Sequence, residues 1–552
     1  MRWKTISSLT PPTRRWSAYK SISSLSLCTT QECFSSKFVN YEQKTVTATI
    51  FRVLGMRIGY EYLIDLYDLR VTGVLRPCRV DRRVNASVQD NAQLRIPLSM
   101  AVRTNNPVDH LEFALKHQGI QLEIIQAACK QIGPELIQAA LSTRPNGKYL
   151  RQIGFLYEYF SGHEIQIQAI SARYVKLFDD NAYVTGPSRL NGKYRIDQNG
   201  LGDLCFCPVV RRTAALESLL KRDLFADLQA FIKKVGGTQN LDRALGWAYL
   251  SETRSSFDIE GEAPSEDKAQ RFVELLHQAH NAQDLTEDYL AGIQSALVNN
   301  PYAQELSYRR NQNWLQRGSR QLRATDVTYL PPAPAMLGTL MADLLQFANA
   351  PYPENSRESL LKSLLVSFQF VFNHPFNDGN GRISRFLIHH GLCRAHLLEQ
   401  GMILPISVAF HRHEADYLTA LESVSKPIRK LWHIHNLSVD TIDAHMIASG
   451  DPYRYWDGTL IAEFGLRMAH YALDHTLIDE FNFLEKFDQA YKIINNEFDV
   501  PGKDLNNLIR MAISENGTLS KRRRKQYALV VDAPVMDAIE DVVRDIFFNE
   551  TR

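Results

Sequence analysis

The sequence predicts a mainly α-helical fold, preceded by a mixed α/β N-terminal domain and followed by a helical or winged-helix-like tail. Apolar residues recur at helical spacing in the middle of the chain, over residues 360–372 and again over 386–398. Strand-like segments with Asn-Gly turns concentrate before residue 213. Helical spacing returns after residue 437.

Length, charge and composition exclude several classes of protein. The chain has 552 residues, with 63 basic and 61 acidic side chains. This length predicts roughly three or four domains, and the near-neutral charge argues against a polyanion-binding chain as a whole. No run reaches the ~20 apolar residues that span a bilayer, so we expect no membrane partner and a cytoplasmic location. The seven cysteines are scattered and odd in number, which argues against a disulfide framework.

The first 55 residues differ in composition from the rest. They are rich in Ser and Thr and carry basic side chains but little acid. No clear amphipathic or secretory pattern accompanies this composition. We therefore expect residues 1–55 to be disordered, or a non-native extension ahead of a start at Met56.

Residues 56–213 are predicted to form an α+β domain. The expected elements are helices over Ala127–Leu141 and Leu150–Phe160 and strands over 174–178, 183–185 and 205–210. No chemical motif lies in this domain, and target recognition and a purely structural platform are equally compatible with it. A helical segment is predicted over residues 214–300, with breaks at Gly236-Gly237 and Pro264.

A buried helix is predicted just before the most informative stretch of the chain. Asn355, with Glu358 three residues later, is a helix-start signal. The apolar run 360–372 has the spacing of a core-facing helix and ends at Asn373. Such a helix would hold the next residue, His374, rigidly in place.

The stretch from His374 to Arg385 reads HPFNDGNGRISR. Gly379 and Gly381 have no Cβ, so the backbone can turn sharply and bring its N–H groups close to an anion. The apolar residues from 386 to 398 predict that a helix follows, which places these groups at its positive N-terminal end. The loop therefore predicts a phosphate cradle, and Phe376 is expected to anchor it in the core.

The charged side chains of this stretch suit a nucleotide polyphosphate. Arg382 and Arg385 are three residues apart, so both guanidiniums can reach one anionic ligand. Asp378 is a hard oxygen ligand of the kind that holds Mg²⁺ beside substrate phosphates. His374 is the group that titrates near neutral pH and is therefore the natural general base. The alternative is a surface turn with a solvated arginine pair.

All fixed positions of this stretch match the motif His-Pro-Phe-x-Asp/Glu-Gly-Asn-Gly-Arg-x-x-Arg, so the sequence resembles the Fic family. The resemblance implies a Fic-type helical core with a flap β-hairpin, expected over residues 301–436. It also implies transfer of AMP from ATP to Ser, Thr or Tyr hydroxyls of target proteins and of the protein itself, with release of pyrophosphate. The kinase-like Doc branch has Lys where Gly381 stands, which argues against phosphorylation.

The resemblance also implies a role for each residue of the motif. His374 would be the base and Asp378 the Mg²⁺ ligand. The nucleotide-binding residues would be Gly379, Asn380, Gly381, Arg382 and Arg385, with the arginines on the outer phosphates.

A second motif lies upstream, where Ser256, Glu260 and Gly261 fit the pattern Ser/Thr-x-x-x-Glu-Gly/Asn. Residues four apart share one face of a helix, and Gly is a frequent residue at a helix end. The pattern resembles the Fic inhibitory motif, whose glutamate pairs with the last arginine of the catalytic motif, here Arg385. On its own, the pattern would be an ordinary solvated helix end.

Two further site features rest on the same resemblance. Residues 309–315 and 325–330 resemble the strands of the flap that pins the target backbone, with Trp314, Leu315 and Gln316 as the flap residues. Gln316 stands where the family often has Gly. Tyr417 stands where the family places a nucleotide-contacting tyrosine.

Residues 437–552 are predicted to be helical or winged-helix-like. The basic run Lys521–Lys525 could contact DNA phosphates, although acidic residues downstream also fit a solvated helix face. The sequence leaves a homodimer open. Three hypotheses result: a self-inhibited adenylyltransferase, an enzyme that also removes AMP, or a DNA-binding regulator with a Fic core.

Overall fold

The computed structural model describes residues 57–89, 93–235, 239–298, 304–316, 323–438 and 441–548. The expectations for residues 1–55 and for a break at Gly236-Gly237 concern positions outside the described residues. Within the described chain the fold is mainly helical with small sheets, and the predicted fold class is confirmed. The predicted domain boundaries stay predictions.

The N-terminal part mixes short helices with two small three-stranded sheets. Its helices are α1 (Tyr60–Tyr67), α2 (Pro107–His117), α3 (Leu122–Cys129), α4 (Pro134–Thr143) and α5 (Lys148–Ser161). Its strands are β1 (Cys78–Val80), β2 (Val88–Gln89), β3 (Leu94–Ile96), β4 (Val175–Lys176), β5 (Leu190–Asn191) and β6 (Ile196–Asp197). In each sheet the last strand is central, with one parallel and one antiparallel neighbour, in the orders β1-β3-β2 and β4-β6-β5.

Several predicted elements of this region differ from the structure in a physically clear way. The single helix expected over Ala127–Leu141 is two helices, because Pro134 cannot continue α3 and instead starts α4. The strand expected over residues 174–178 is only two residues long, and those expected over 183–185 and 205–210 are isolated bridges at Tyr183 and Val209. Single backbone hydrogen bonds hold these segments, among them those from the Val184 N–H to the Val210 carbonyl at 2.9 Å and from the Val209 N–H to the Trp456 carbonyl at 3.0 Å.

The middle of the chain is a helical array that contains one short hairpin. Its helices are α6 (Ala214–Leu220), α7 (Leu224–Val235), α8 (Gln239–Ile259), α9 (Glu266–Gln278), α10 (Glu287–Leu297), α11 (Pro334–Asn349), α12 (Ser356–Asn373), α13 (Asn380–Arg394), α14 (Ile406–Arg412) and α15 (Glu414–Arg429). The hairpin consists of β7 (Leu315–Gln316) and β8 (Val327–Tyr329), which pair in antiparallel fashion. The paired strands β7 and β8 therefore contain fewer residues than the predicted strands 309–315 and 325–330.

The C-terminal part begins with a second hairpin, β9 (Trp432–Leu437) and β10 (Ile442–Met446), which the sequence analysis did not predict. Its helices are α16 (Thr459–Ala472), α17 (Ile478–Glu497), α18 (Gly502–Ser514), α19 (Lys521–Tyr527) and α20 (Ala533–Val543). No strand lies among the described residues after Met446, so the tail is helical. Helices α17 to α20 enclose their own small core.

Helix α12 is the centre of the largest hydrophobic core. Every residue from Ser359 to Phe370 is buried, and α11, α13 and α16 pack around the helix. A helix that is buried on all sides has little freedom to tilt or shift. The residue at its C-terminal end is therefore held in a fixed position.

The N-terminal part is joined to this core by specific contacts. Val209 bridges to Asp457, and the Cys207 N–H donates to the Arg454 carbonyl. The Arg211 guanidinium pairs with Asp457 at 2.7 Å. No helix among the described residues is long and apolar enough to cross a membrane.

A pH-dependent stability difference is expected at His390. Burial lowers the pKa of His390 to about 4, and its Nε2 lies 2.8 Å from the Gln283 carbonyl. The unfolded chain takes up a proton on this residue below pH 6.5, whereas the folded chain does not, so stability is lost as the pH falls through this range. The loss should reach about 1.4 kcal/mol at pH 5.5.

The measurement compares wild type with His390→Gln by thermal unfolding at pH 7.5 and 5.5. The difference between the two proteins should shift in favour of the variant at pH 5.5. Other residues change the stability in the opposite direction as the pH falls; one of them is Glu123, whose pKa is raised to about 7 by burial. Their contributions are the same in both proteins and cancel when the two stabilities are subtracted. His163→Gln makes the same substitution at an exposed histidine and is the matched control.

Candidate active site

His374 caps the C-terminal end of α12 in a left-handed conformation, with φ 46° and ψ 58°. Its N–H donates to the Phe370 carbonyl at 2.9 Å, which closes the last helical turn. Such a conformation is costly for a residue with a Cβ and persists where the surroundings enforce it. It turns the chain out of the core and directly into the loop.

The Arg309 side chain helps to hold the His374 backbone in this conformation through hydrogen bonds. Its guanidinium donates to the carbonyls of His374 (2.8 Å), Pro332 (2.6 Å) and Asn311 (2.9 Å), and its backbone N–H donates to the Pro375 carbonyl (2.8 Å). Arg309 is only 3% exposed, and burial lowers its pKa to about 10. The sequence analysis assigned this residue to a flap strand, whereas the structure places it beneath the catalytic motif.

The His374 imidazole is buried and uncharged at neutral pH. Burial lowers its pKa to about 3, the Arg309 charge acts in the same direction, and a hydrogen bond with the Val371 backbone opposes them. An uncharged imidazole can accept a proton. The ring lines two adjoining cavities and is therefore within reach of a ligand.

The loop is fastened by side chains on both sides. Phe376 is fully buried, and its backbone exchanges two hydrogen bonds with the Asn380 amide, at 3.0 and 2.6 Å. Asn377 donates through its backbone and its side chain to Glu305, at 2.7 and 2.6 Å. Phe376 thus takes the anchoring position that the sequence predicts, and Glu305 is an additional support that the sequence did not reveal.

Helix α13 begins immediately after the loop, with Gly379 as its left-handed N-cap at φ 86°. Asp378 Oδ1 accepts from the Gly379 N–H at 2.6 Å and from Arg382 Nη2 at 2.9 Å. Both bonds use the same oxygen within the described chain, which leaves Oδ2 for a cation. The Asp378 carboxylate therefore fits the Mg²⁺ ligand that the sequence predicts.

Arg382 and Arg385 project from the first turns of α13 and are both nearly completely buried. Arg385 Nε donates to Ser256 Oγ (2.7 Å), and its Nη2 donates to the Ser256 carbonyl (2.7 Å) and to Glu260 Oε1 (2.9 Å). Arg382 Nη1 donates to Glu262 Oε2 at 3.1 Å. The motif at residues 256–261 and the motif at residues 374–385 are therefore in contact through oppositely charged side chains.

The Glu260 carboxylate lies directly over the phosphate cradle. A Cβ added at Gly381 would overlap Glu260 Oε1, so the absence of a side chain at Gly381 makes room for this carboxylate. Gly261 ends the helix in a left-handed conformation at φ 72° and turns the chain away from the site. The three residues predicted to be inhibitory are thus gathered at the start of α13.

A buried polar contact fixes α8 about two turns before Glu260. Glu252 accepts from His389 Nε2 of α13 at 2.9 Å and from the Ser407 N–H and hydroxyl of α14 at 2.7 and 2.5 Å. All three residues are buried. Helix α8 therefore docks on α13 along two turns, and not through Glu260 alone.

A cleft of about 540 Å³ opens beside His374 and Gly381. A volume of this size accommodates a nucleotide-sized ligand. Tyr417 lines the cleft, and its ring stacks on Phe410 with centroids 5.1 Å apart. A smaller cavity of about 60 Å³ lies over residues 377–382. Glu260 lines both cavities and stands between them.

The flap residues have different environments. Leu315 lines the large cleft, whereas Trp314 is buried and donates from its indole nitrogen to Gln316 Oε1 at 3.0 Å. Gln316 is also buried. Of these three residues, the structure therefore brings Leu315 to the site, while Trp314 and Gln316 hold the base of the hairpin.

A left-handed helix cap with a base, a helix start with paired arginines, and a nucleotide-sized cleft together define a site for an anionic ligand. Residues 284–392 match the family described as Fic/DOC. This segment, which is less than half of the chain, therefore resembles a Fic/DOC domain. Fic domain proteins generally transfer AMP or similar groups onto proteins.

Two solved structures are similar to this chain. A Fic family protein from Desulfovibrio desulfuricans G20 has 18% identity and a TM-score of 0.34, and the match covers 61% of this chain and 92% of that one. A Fic domain containing signaling protein from Bacteroides thetaiotaomicron VPI-5482 has 17% identity and a TM-score of 0.32, with 49% and 94% covered. No curated protein matches the chain.

The close approach of Glu260 to Gly381 gives a direct test of the resting geometry. Gly381→Ala should destabilise the protein by about 1–3 kcal/mol, because the new methyl group displaces a partly buried, paired carboxylate. In a Glu260→Gly background the same substitution should cost much less. Thermal unfolding of the four proteins measures this coupling, and equal losses in both backgrounds would contradict the observed contact.

Proposed function

We propose that the protein is a self-inhibited protein adenylyltransferase that transfers AMP from ATP to hydroxyl groups of target proteins and of itself. The observation that carries the proposal is the Glu260–Arg385 pair at 2.9 Å, which joins the two motifs over Gly381. This contact explains why both motifs are present in one chain. It also places a carboxylate where the motif would receive phosphate.

The proposed reaction uses His374 as the base. Its uncharged imidazole takes the proton of the acceptor hydroxyl, whose oxygen then forms a bond to the α-phosphorus of ATP. The bond from this phosphorus to the bridging oxygen breaks, and pyrophosphate leaves. The N–H groups at the start of α13 face the developing negative charge, and this helix start is favourable for an anion.

The outer phosphates are assigned to Arg382 and Arg385. Bidentate guanidiniums suit phosphate oxygens, and buried ones bind them more strongly than solvated ones. Asp378 would hold Mg²⁺ through Oδ2, and the bound ion would neutralise phosphate charge. Tyr417 and the large cleft are assigned to the nucleoside.

In the resting state the Glu260 carboxylate takes the place of a phosphate. Holding the productive binding mode at one per cent requires about 2.7 kcal/mol of bias. The Arg385 side chain is 1% exposed and that of Glu260 is 18% exposed, so this pair is only weakly screened by water. Ser256 adds two bonds to the same guanidinium.

Removal of AMP by the same site is a second candidate. Glu260 and His374 line the same small cavity of about 60 Å³ beside the cradle. A carboxylate in this position could orient a water molecule toward the phosphorus of a modified target. The release of AMP from a modified protein by wild type, and not by Glu260→Gly, would support this second activity.

Release of inhibition is tested by labelled-AMP transfer. Glu260→Gly should raise self-modification from α-labelled ATP strongly, up to about 100-fold if one per cent of the wild type is productive. Adding His374→Ala should abolish the gain, because the base is lost while the Glu260 carboxylate is still absent. Equal incorporation by wild type and Glu260→Gly would contradict self-inhibition. The absence of transfer in every variant would favour a regulator, and salt-dependent DNA binding by the full chain would test that reading.

The lowered pKa of His374 predicts the pH dependence of the activated variant. Its pKa of about 3 lies below the usual 6.5, so the imidazole stays uncharged as the pH falls from 7.5 to 5.5. The value of kcat/KM for ATP, measured with Glu260→Gly, reports the free enzyme and should stay nearly constant over this range. An acidic limb centred near pH 6.5, beyond any change that the ionisation of ATP itself causes, would contradict the lowered pKa of this ring.

A further inference from the structure

A second carboxylate, two residues beyond Glu260, reaches the other arginine of the site. Glu262 Oε2 lies 3.1 Å from Arg382 Nη1 and 3.8 Å from Lys268 Nζ. The inhibitory pattern ends at Gly261 and assigns nothing to this residue. Each of the two motif arginines is thus paired with a different carboxylate of one short segment.

The end of α8 explains how both carboxylates face the same helix start. The Gly261 N–H donates to the Asp258 carbonyl at 2.9 Å, and the Glu262 N–H donates to the Phe257 carbonyl at 3.1 Å. Together with the left-handed Gly261, these bonds form a Schellman motif. The chain therefore reverses within two residues, which returns Glu262 toward α13.

The surroundings of Arg382 determine how its contact with Glu262 affects the binding of a ligand. Its side chain is 2% exposed, its Nη2 is bonded to Asp378, and its guanidinium lies 5.0 Å from the centre of the Phe257 ring. Its Nε has no hydrogen-bond partner among the described residues. A phosphate that takes the Nη1 N–H now donated to Glu262 therefore replaces this carboxylate.

We propose that Glu262 is a second inhibitory carboxylate, which competes with the phosphates of a nucleoside triphosphate for Arg382. The proposal rests on the proposed nucleotide site and extends its regulation. Glu260 blocks Arg385 and the cradle, whereas Glu262 neutralises Arg382. Removing Glu260 alone therefore leaves part of the inhibition in place.

The solvent exposure of the two glutamate side chains determines the relative strength of the Glu260–Arg385 and Glu262–Arg382 contacts. The Glu262 side chain is 38% exposed, compared with 18% for Glu260. Water and salt screen the more exposed pair more strongly, so its effect should be smaller. Both contacts depend on the same reversal at Gly261, so a movement of the α8 end would release them together.

The test uses the full chain and measures binding separately from transfer. Isothermal titration with Mg²⁺ and α,β-methylene-ATP, which cannot donate AMP, reports affinity for wild type, Glu260→Gly, Glu262→Gln and the double variant. Glu262→Gln should tighten binding about twofold to fivefold in both backgrounds, since a partly exposed pair is lost. Glu262→Ala, which also removes the hydrogen bond, should have at least the same effect.

Glu266→Gln is the matched control, since it makes the same charge change at an exposed position at the start of α9. Unchanged or weaker binding by both Glu262 variants, or an equal change in Glu266→Gln, would overturn the proposal, as would the absence of binding in all proteins. Thermal unfolding checks that the variants are folded. Tighter binding without labelled-AMP transfer in any variant would sustain the role of Glu262 and reject the proposed reaction instead.

Discussion

The burial of two guanidinium groups at the start of α13 is the constraint on which the site depends. A buried charge is costly unless it is paired and hydrogen-bonded. The Arg385 charge is met by Ser256 and Glu260, and the Arg382 charge by Asp378 and Glu262. The Glu260 and Glu262 carboxylates are negatively charged, as phosphate is. In the proposed function, pairing of the arginines with these carboxylates and binding of the phosphates are therefore alternatives, and the docked end of α8 regulates the site.

The position of the base depends on a different part of the structure. His374 ends a helix that is buried on all sides, and Arg309 holds the strained backbone at that point through three carbonyls. The same burial keeps the imidazole uncharged. Rigid placement and the uncharged state of the ring thus arise from one cause, the depth of the α12 end in the core.

Helix α8 is bound more extensively than an inhibitory glutamate alone would suggest. Its contact with α13 and α14 through Glu252, His389 and Ser407 lies fully inside the protein. Breaking a buried network of this kind costs more than breaking a pair at the surface. A change confined to the last turn of α8 would free both arginines while leaving this inner contact intact.

The sequence by itself determined the helical class, the catalytic loop and the existence of an inhibitory pattern. These depend on local spacing, on the glycines that permit a helix start at residue 380, and on a long motif. Only the tertiary structure decided that Arg309 clamps the His374 backbone, that Glu305 holds Asn377, and that Glu262 reaches Arg382. The hairpin of β9 and β10 was also decided at this level, as was the pairing of Leu315 and Gln316 with β8 among the residues that the structure describes. The contacts of Arg309, Glu305 and Glu262 join residues 65, 72 and 120 positions apart, and their partners depend on how helices pack, which local sequence does not encode.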